Sequence, residues 1–72
     1  MEKSKLKSLM ALNNDTGKTL SEYLGISEQT FSMKMNEKDG REFTKPEIEK
    51  IAKRYSMTAE QVISVFFTSI VS

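Results

Sequence analysis

The chain has 72 residues, with 11 basic and 10 acidic side chains and a net charge of +1. It contains neither cysteine nor histidine, which excludes disulfides, Cys/His zinc sites and histidine-based acid–base catalysis. A chain of this length supports one modest core, and no stretch reaches the ~20 apolar residues of a membrane span. We therefore expect one cytoplasmic domain over residues 1–72, which is not an enzyme and has no catalytic residue, cofactor or metal site.

Apolar residues at helical spacing predict five short helices. Three are expected at about 3–12, 18–24 and 28–35, a fourth begins at Thr44, and a fifth begins at Thr58. The apolar residues expected to face inward on these helices are Leu6, Leu9, Met10, Leu20, Leu24, Phe31, Met35, Ile48, Ile51, Ala52, Tyr55, Val62, Val65 and Phe66.

The last two helices carry strong start signals. Thr44-Lys45-Pro46-Glu47 and Thr58-Ala59-Glu60-Gln61 both have the capping-box spacing, in which the first and fourth side chains bond to each other's backbone N–H groups. A proline in the first turn of a helix costs little, because its missing N–H would have no partner there. Residues 36–43, between the third and fourth helices, are predicted to form a charged loop around Asp39-Gly40.

Residues 17–36 have the pattern of a helix, a tight turn and a second helix. Gly25 lies where the first helix must stop, and glycine adopts the left-handed backbone of such a turn without strain. Ile26 is apolar and can fill the space between the two helices, while Ser27 is a good N-cap for the second. A helix pair of this length and spacing is typical of a DNA-type helix-turn-helix.

The outward face of the second helix of this motif is the candidate recognition surface. With Phe31 and Met35 pointing inward, the helical period predicts the following exposed or flanking residues: Glu28, Gln29, Ser32, Met33, Lys34 and Asn36. The side-chain amides of Gln29 and Asn36 can form paired hydrogen bonds with adenine in the major groove. Met33, at the centre of this face, is better matched to an apolar protein surface. A merely solvated face is the alternative. Lys18, Lys38 and Arg41 are candidate phosphate contacts.

The segment 65–72 is crowded with apolar and aromatic residues. One interpretation is that Phe66 closes the domain's own core and the remaining tail frays. The other is that Phe67, Ile70 and Val71 form an interface with another protein or a second copy. A short strand over 67–71 is a further alternative.

Two stretches of the chain resemble a known family. The runs 20–32, with the sequence LSEYLGISEQTFS, and 43–52, with the sequence FTKPEIEKIA, resemble the Cro/repressor-type helix-turn-helix of temperate phages. The resemblance covers about residues 3–67, and it is greatest to the small modulator-of-repression proteins of temperate lactococcal phages. It implies an all-α fold like that of lambda repressor and Cro, with five short helices around the motif.

The same resemblance implies a role in the lysis–lysogeny switch of a phage in its bacterial host. A modulator, or antirepressor, of this kind binds the N-terminal DNA-binding domain of the cognate repressor and alters its grip on operator DNA. The alternative is a Cro-like repressor that binds the operator directly as a dimer. Gly17 departs from the family, which commonly has a phosphate-contacting glutamine there, and Ser21 replaces the usual alanine at the helix crossing. Ser21 is a mild substitution, whereas the loss of a phosphate anchor at Gly17 agrees with the neutral charge of the motif, and these two features argue against DNA binding by the chain alone.

Overall fold

The computed structural model describes residues 1–67, and all regular structure in this range is helical. The α-helices are α1 (Lys3–Leu12), α2 (Gly17–Leu24), α3 (Glu28–Met35), α4 (Lys45–Arg54) and α5 (Ala59–Phe66), with a 3-10 turn at Lys38–Gly40. The predicted all-α class with five helices is therefore confirmed. None of the helices in this range is both long and apolar enough to span a bilayer.

The core lies where all five helices meet. Its buried apolar residues are Leu6, Met10, Leu20, Leu24, Phe31, Met35, Phe43, Ile51, Val65 and Phe66. Nine of these ten were expected from the helical spacing. The exception is Phe43, which the sequence places in a charged loop but which is only 8% exposed.

The ring of Phe43 packs against one aromatic side chain from each of two helices. Its ring centroid lies 5.6 Å from that of Phe31 on α3 and 6.2 Å from that of Phe66 on α5. Aromatic pairs at such separations, with tilted or edge-on rings, are favourable beyond the area that they bury. Phe43 therefore holds the connection between α3 and α4, although the other residues of this connection are exposed.

The helix starts follow local chemistry. The Thr44–Glu47 and Thr58–Gln61 capping boxes predicted from the sequence are both present. A third box opens α2, where Thr16 and Thr19 accept hydrogen bonds from each other's backbone N–H groups at 3.2 and 2.8 Å. The sequence does not reveal this box, because the usual signature has Glu or Gln at the fourth position.

A buried carboxylate ties the connection between α1 and α2 to the end of α4. Asp15, whose side chain is 4% exposed, accepts two hydrogen bonds of 2.8 Å from the guanidinium of Arg54. Tyr55 and Thr19 donate further hydrogen bonds to the same carboxylate, at 2.7 and 2.9 Å. These hydrogen bonds, those from Arg54 above all, hold the pKa of Asp15 far below its usual range despite its burial.

Candidate recognition surface

The turn that leads into α3 has the geometry that the sequence predicts. Gly25 has a left-handed backbone, with φ at 77°, and its N–H donates to the carbonyl of Glu22 at 3.1 Å. Ile26 is half-buried against the core. The hydroxyl of Ser27 accepts a hydrogen bond from the N–H of Thr30 at 3.1 Å, which caps α3.

The inner side of α3 is fixed by two large side chains. Phe31 and Met35 are 4% and 6% exposed, as their spacing predicts. Gly17, at the start of α2, lies beside this packing, and a Cβ built on it would be 3.7 Å from Cδ2 of Phe31. That distance is ordinary van der Waals contact. The space around Gly17 therefore admits a Cβ atom.

The outer side of α3 carries three exposed polar residues, Glu28, Gln29 and Ser32, with the half-buried Met33. Met33 lies outside the hydrophobic core, unlike the other apolar residues of α3. We call these four residues the α3 face. They combine uncharged hydrogen-bonding groups, one carboxylate and a polarizable apolar side chain.

Lys34 does not join this face. Its ammonium lies 2.7 and 2.8 Å from the two carboxylate oxygens of Glu47 on α4, and the two side chains are only 14% and 12% exposed. Burial alone would raise the pKa of Glu47, but hydrogen bonds from Lys34 and from the backbone N–H of Thr44 outweigh it and lower this pKa. Lys34, which the sequence predicts at the flank of the exposed face, therefore points toward α4, because Glu47 offers it a carboxylate there.

Asn36 is exposed, but its side chain is engaged within the domain. Its amide nitrogen donates to the carbonyl of Ser32 at 2.9 Å, and its amide oxygen accepts from the ammonium of Lys3 at 2.7 Å. Lys3 and Lys7 of α1 line a shallow groove together with Ser32 and Asn36. The structure therefore adds two α1 lysines to the edge of the α3 face, which helical spacing within α3 does not reveal.

The other predicted residues lie apart from one another. Lys38 and Arg41 are exposed at either end of the turn that follows α3, whereas Lys18 is exposed in the first turn of α2. Phe66 is buried in the core, and Phe67 is 36% exposed. Ile70, Val71 and most of the proposed strand at 67–71 lie outside the described residues.

The residues that the structure describes contain no cluster of three or more acidic side chains that could hold a metal ion. Comparisons of the chain with protein-family models, with curated proteins and with solved structures gave no match.

Proposed function

We propose that the chain is a transcriptional regulator of a temperate-phage switch, which binds the DNA-reading domain of a phage repressor. The α3 face makes the contact, and the contact alters the repressor's hold on its operator. The class of function is supported by the resemblance of residues 20–32 and 43–52 to the Cro/repressor-type helix-turn-helix.

One observation favours a protein partner over DNA as the target of this helix. The single cation of α3, Lys34, is paired with Glu47, so the α3 face offers a carboxylate, polar groups and Met33. Phosphate binding depends on available Lys and Arg side chains, and Glu28 would repel the DNA backbone. Methionine, by contrast, is enriched in protein interfaces and adapts to irregular apolar surfaces.

The first experiment measures operator DNA binding by fluorescence anisotropy, for this protein alone, for the repressor of the same switch alone, and for the two together. We expect no binding by this protein alone, and a loss or shift of the repressor signal in the mixture. An unchanged repressor signal in the presence of excess protein would contradict the proposal.

A matched pair of variants then locates the contact. Met33→Asp places a charge in the α3 face, while Leu12→Asp makes the same kind of change at an α1 residue that is 80% exposed. We expect Met33→Asp to weaken repressor binding by at least about tenfold, the effect of losing ~1.4 kcal/mol of binding free energy. Leu12→Asp is expected to bind as the wild type does. Equal binding by both folded variants would remove the α3 face from the interface.

Direct operator binding is the second candidate, and the groove beside α3 favours it. Lys3 and Lys7 border Ser32 and Asn36 there, so a phosphate backbone at this edge would meet two cations. This function requires that the logarithm of the affinity falls with the logarithm of the salt concentration, by about 0.9 per neutralised phosphate.

Gly17 offers a gain-of-function test for this second candidate. Since a Cβ fits at this position and Gly17 borders the groove beside α3, Gly17→Gln tests whether the amide with which members of the resembled family contact phosphate can act here. If the domain reads DNA, Gly17→Gln binds operator DNA more tightly than the Gly17→Ala control does. If the domain binds a repressor instead, the two variants are equally inert toward DNA.

A further inference from the structure

An apolar groove runs between α4 and α5, and no residue of the α3 face lines it. It has a volume of about 350 Å³ and is lined by Phe43, Ile48, Val62 and Phe67, with Lys45 and Glu49 beside them. Ile48 and Val62 are half-buried, and Phe67 is 36% exposed. Phe43 is the buried floor of this groove, whereas the other three apolar side chains lie together and are partly exposed, which favours a docking surface over a solvated one.

The charges at the groove indicate which partner fits it. Lys45 and Glu49 lie four residues apart on α4, about 6 Å along its axis, and both are exposed. Within residues 1–67 they form no ion pair with each other. If a second α4 packs antiparallel against the side that carries Lys45 and Glu49, with a twofold axis midway between these two residues, Lys45 of each copy faces Glu49 of the other. A twofold interface satisfies both charges at once, because every contact occurs twice.

We propose that this groove is the contact surface between two copies of the chain. The α4 helices pack antiparallel, the two Lys45–Glu49 pairs form across the axis, and Phe67 of each copy covers apolar surface of the other. The surface is small compared with that of stable dimers, which bury about 800 Å² per partner. The dimer is therefore weak and depends on concentration. Both α3 faces remain free, so the dimer presents two of them.

Sedimentation velocity over a wide range of protein concentration tests the proposal. The wild type is expected to show a reversible monomer–dimer equilibrium. Lys45→Glu and Glu49→Lys each bring like charges together twice, so each single variant is expected to weaken the dimer by about tenfold. The double variant Lys45→Glu/Glu49→Lys restores both pairs with their signs exchanged, and it is expected to dimerise about as the wild type does.

The design separates loss of the dimer from loss of the fold. Lys45 is the first residue of α4, where a glutamate interacts favourably with the helix dipole. Lys45→Glu therefore leaves the monomer as stable as before or slightly more stable, which thermal melting verifies. Lys18→Glu makes the same charge change in the first turn of α2, outside the groove, and is expected to leave the equilibrium unchanged.

Two results would overturn the proposal. One is a wild type that stays monomeric at every concentration, whether residues 68–72 or an unrelated protein occupies the groove instead. The other is a dimer that the single variants do not weaken, or that the double variant fails to restore, because its interface would then lie elsewhere.

Discussion

Two regions of the domain use their polar groups in opposite ways. Asp15 is buried and accepts hydrogen bonds from three side chains, Arg54 and Tyr55 of the α4 end and Thr19 of α2. Glu28 and Gln29 of the α3 face are instead exposed, and their side chains form no hydrogen bond with other described residues. Polar groups around Asp15 serve the fold, whereas those of the α3 face remain available to a partner.

Asp15 should show the largest effect on stability. Asp15→Ala removes four hydrogen bonds from a buried carboxylate and leaves Arg54 and Tyr55 without their partner. Since Arg54 can recover water, we expect a loss of about 2 kcal/mol, below the full cost of a buried unpaired charge. The measurement is the free energy of unfolding from urea titration. Glu22→Ala, at an exposed residue of α2, is the control and should change it by no more than about 0.5 kcal/mol.

The same carboxylate should make the domain sensitive to acid. The pKa of Asp15 is lowered in the folded state, so its contribution to stability is fully present above the unfolded pKa of about 3.9 and is lost as the pH falls. Glu47, whose pKa is also lowered, adds to this trend. We expect the urea midpoint of the wild type to fall between about pH 5 and pH 2.

Asp15→Ala supplies the control for this pH dependence. The variant lacks the dominant titrating group, so its urea midpoint should fall less over the same pH range. Parallel curves for the variant and the wild type would show that other carboxylates govern the acid sensitivity.

The features that the sequence predicts well are those with local causes. The bounds of α1 and α3, the left-handed Gly25 and the capping boxes of α4 and α5 each depend on a few neighbouring residues. Helical spacing also identifies the inner side of α3, because Phe31 and Met35 can be buried together only on one side.

Apart from the local Thr16–Thr19 capping box, the features that the sequence does not predict have distant causes. Asp15 lies in a stretch of ordinary turn residues, and its partner Arg54 is 39 positions away. Phe43 is buried because α3 and α5 place Phe31 and Phe66 around it. Lys34 turns inward only because α4 presents Glu47. Periodicity predicts which side of a helix faces out, but it does not show which charged side chains find a partner there.

Lys34 shares features of both regions, since it belongs to α3 but serves the fold. Lys34→Met removes the cation and leaves the half-buried Glu47 with the N–H of Thr44 as its hydrogen-bond donor. We expect a loss of about 1 kcal/mol in the free energy of unfolding. Lys50→Met, at an exposed residue of α4, is the matched control and should be near neutral. If Lys34→Met is as stable as this control, the ion pair contributes nothing measurable.

The α3 face should show the smallest effect on stability, and this result would sharpen the comparison most. Gln29→Ala and Ser32→Ala truncate exposed side chains within a helix, and alanine has the higher helix propensity. We therefore expect thermal melting to show changes of no more than a few tenths of a kcal/mol, in the stabilising direction. Repressor binding by the same variants should weaken nonetheless. A large loss of stability would mean that these side chains serve the fold, as those around Asp15 do, and that the two regions do not differ.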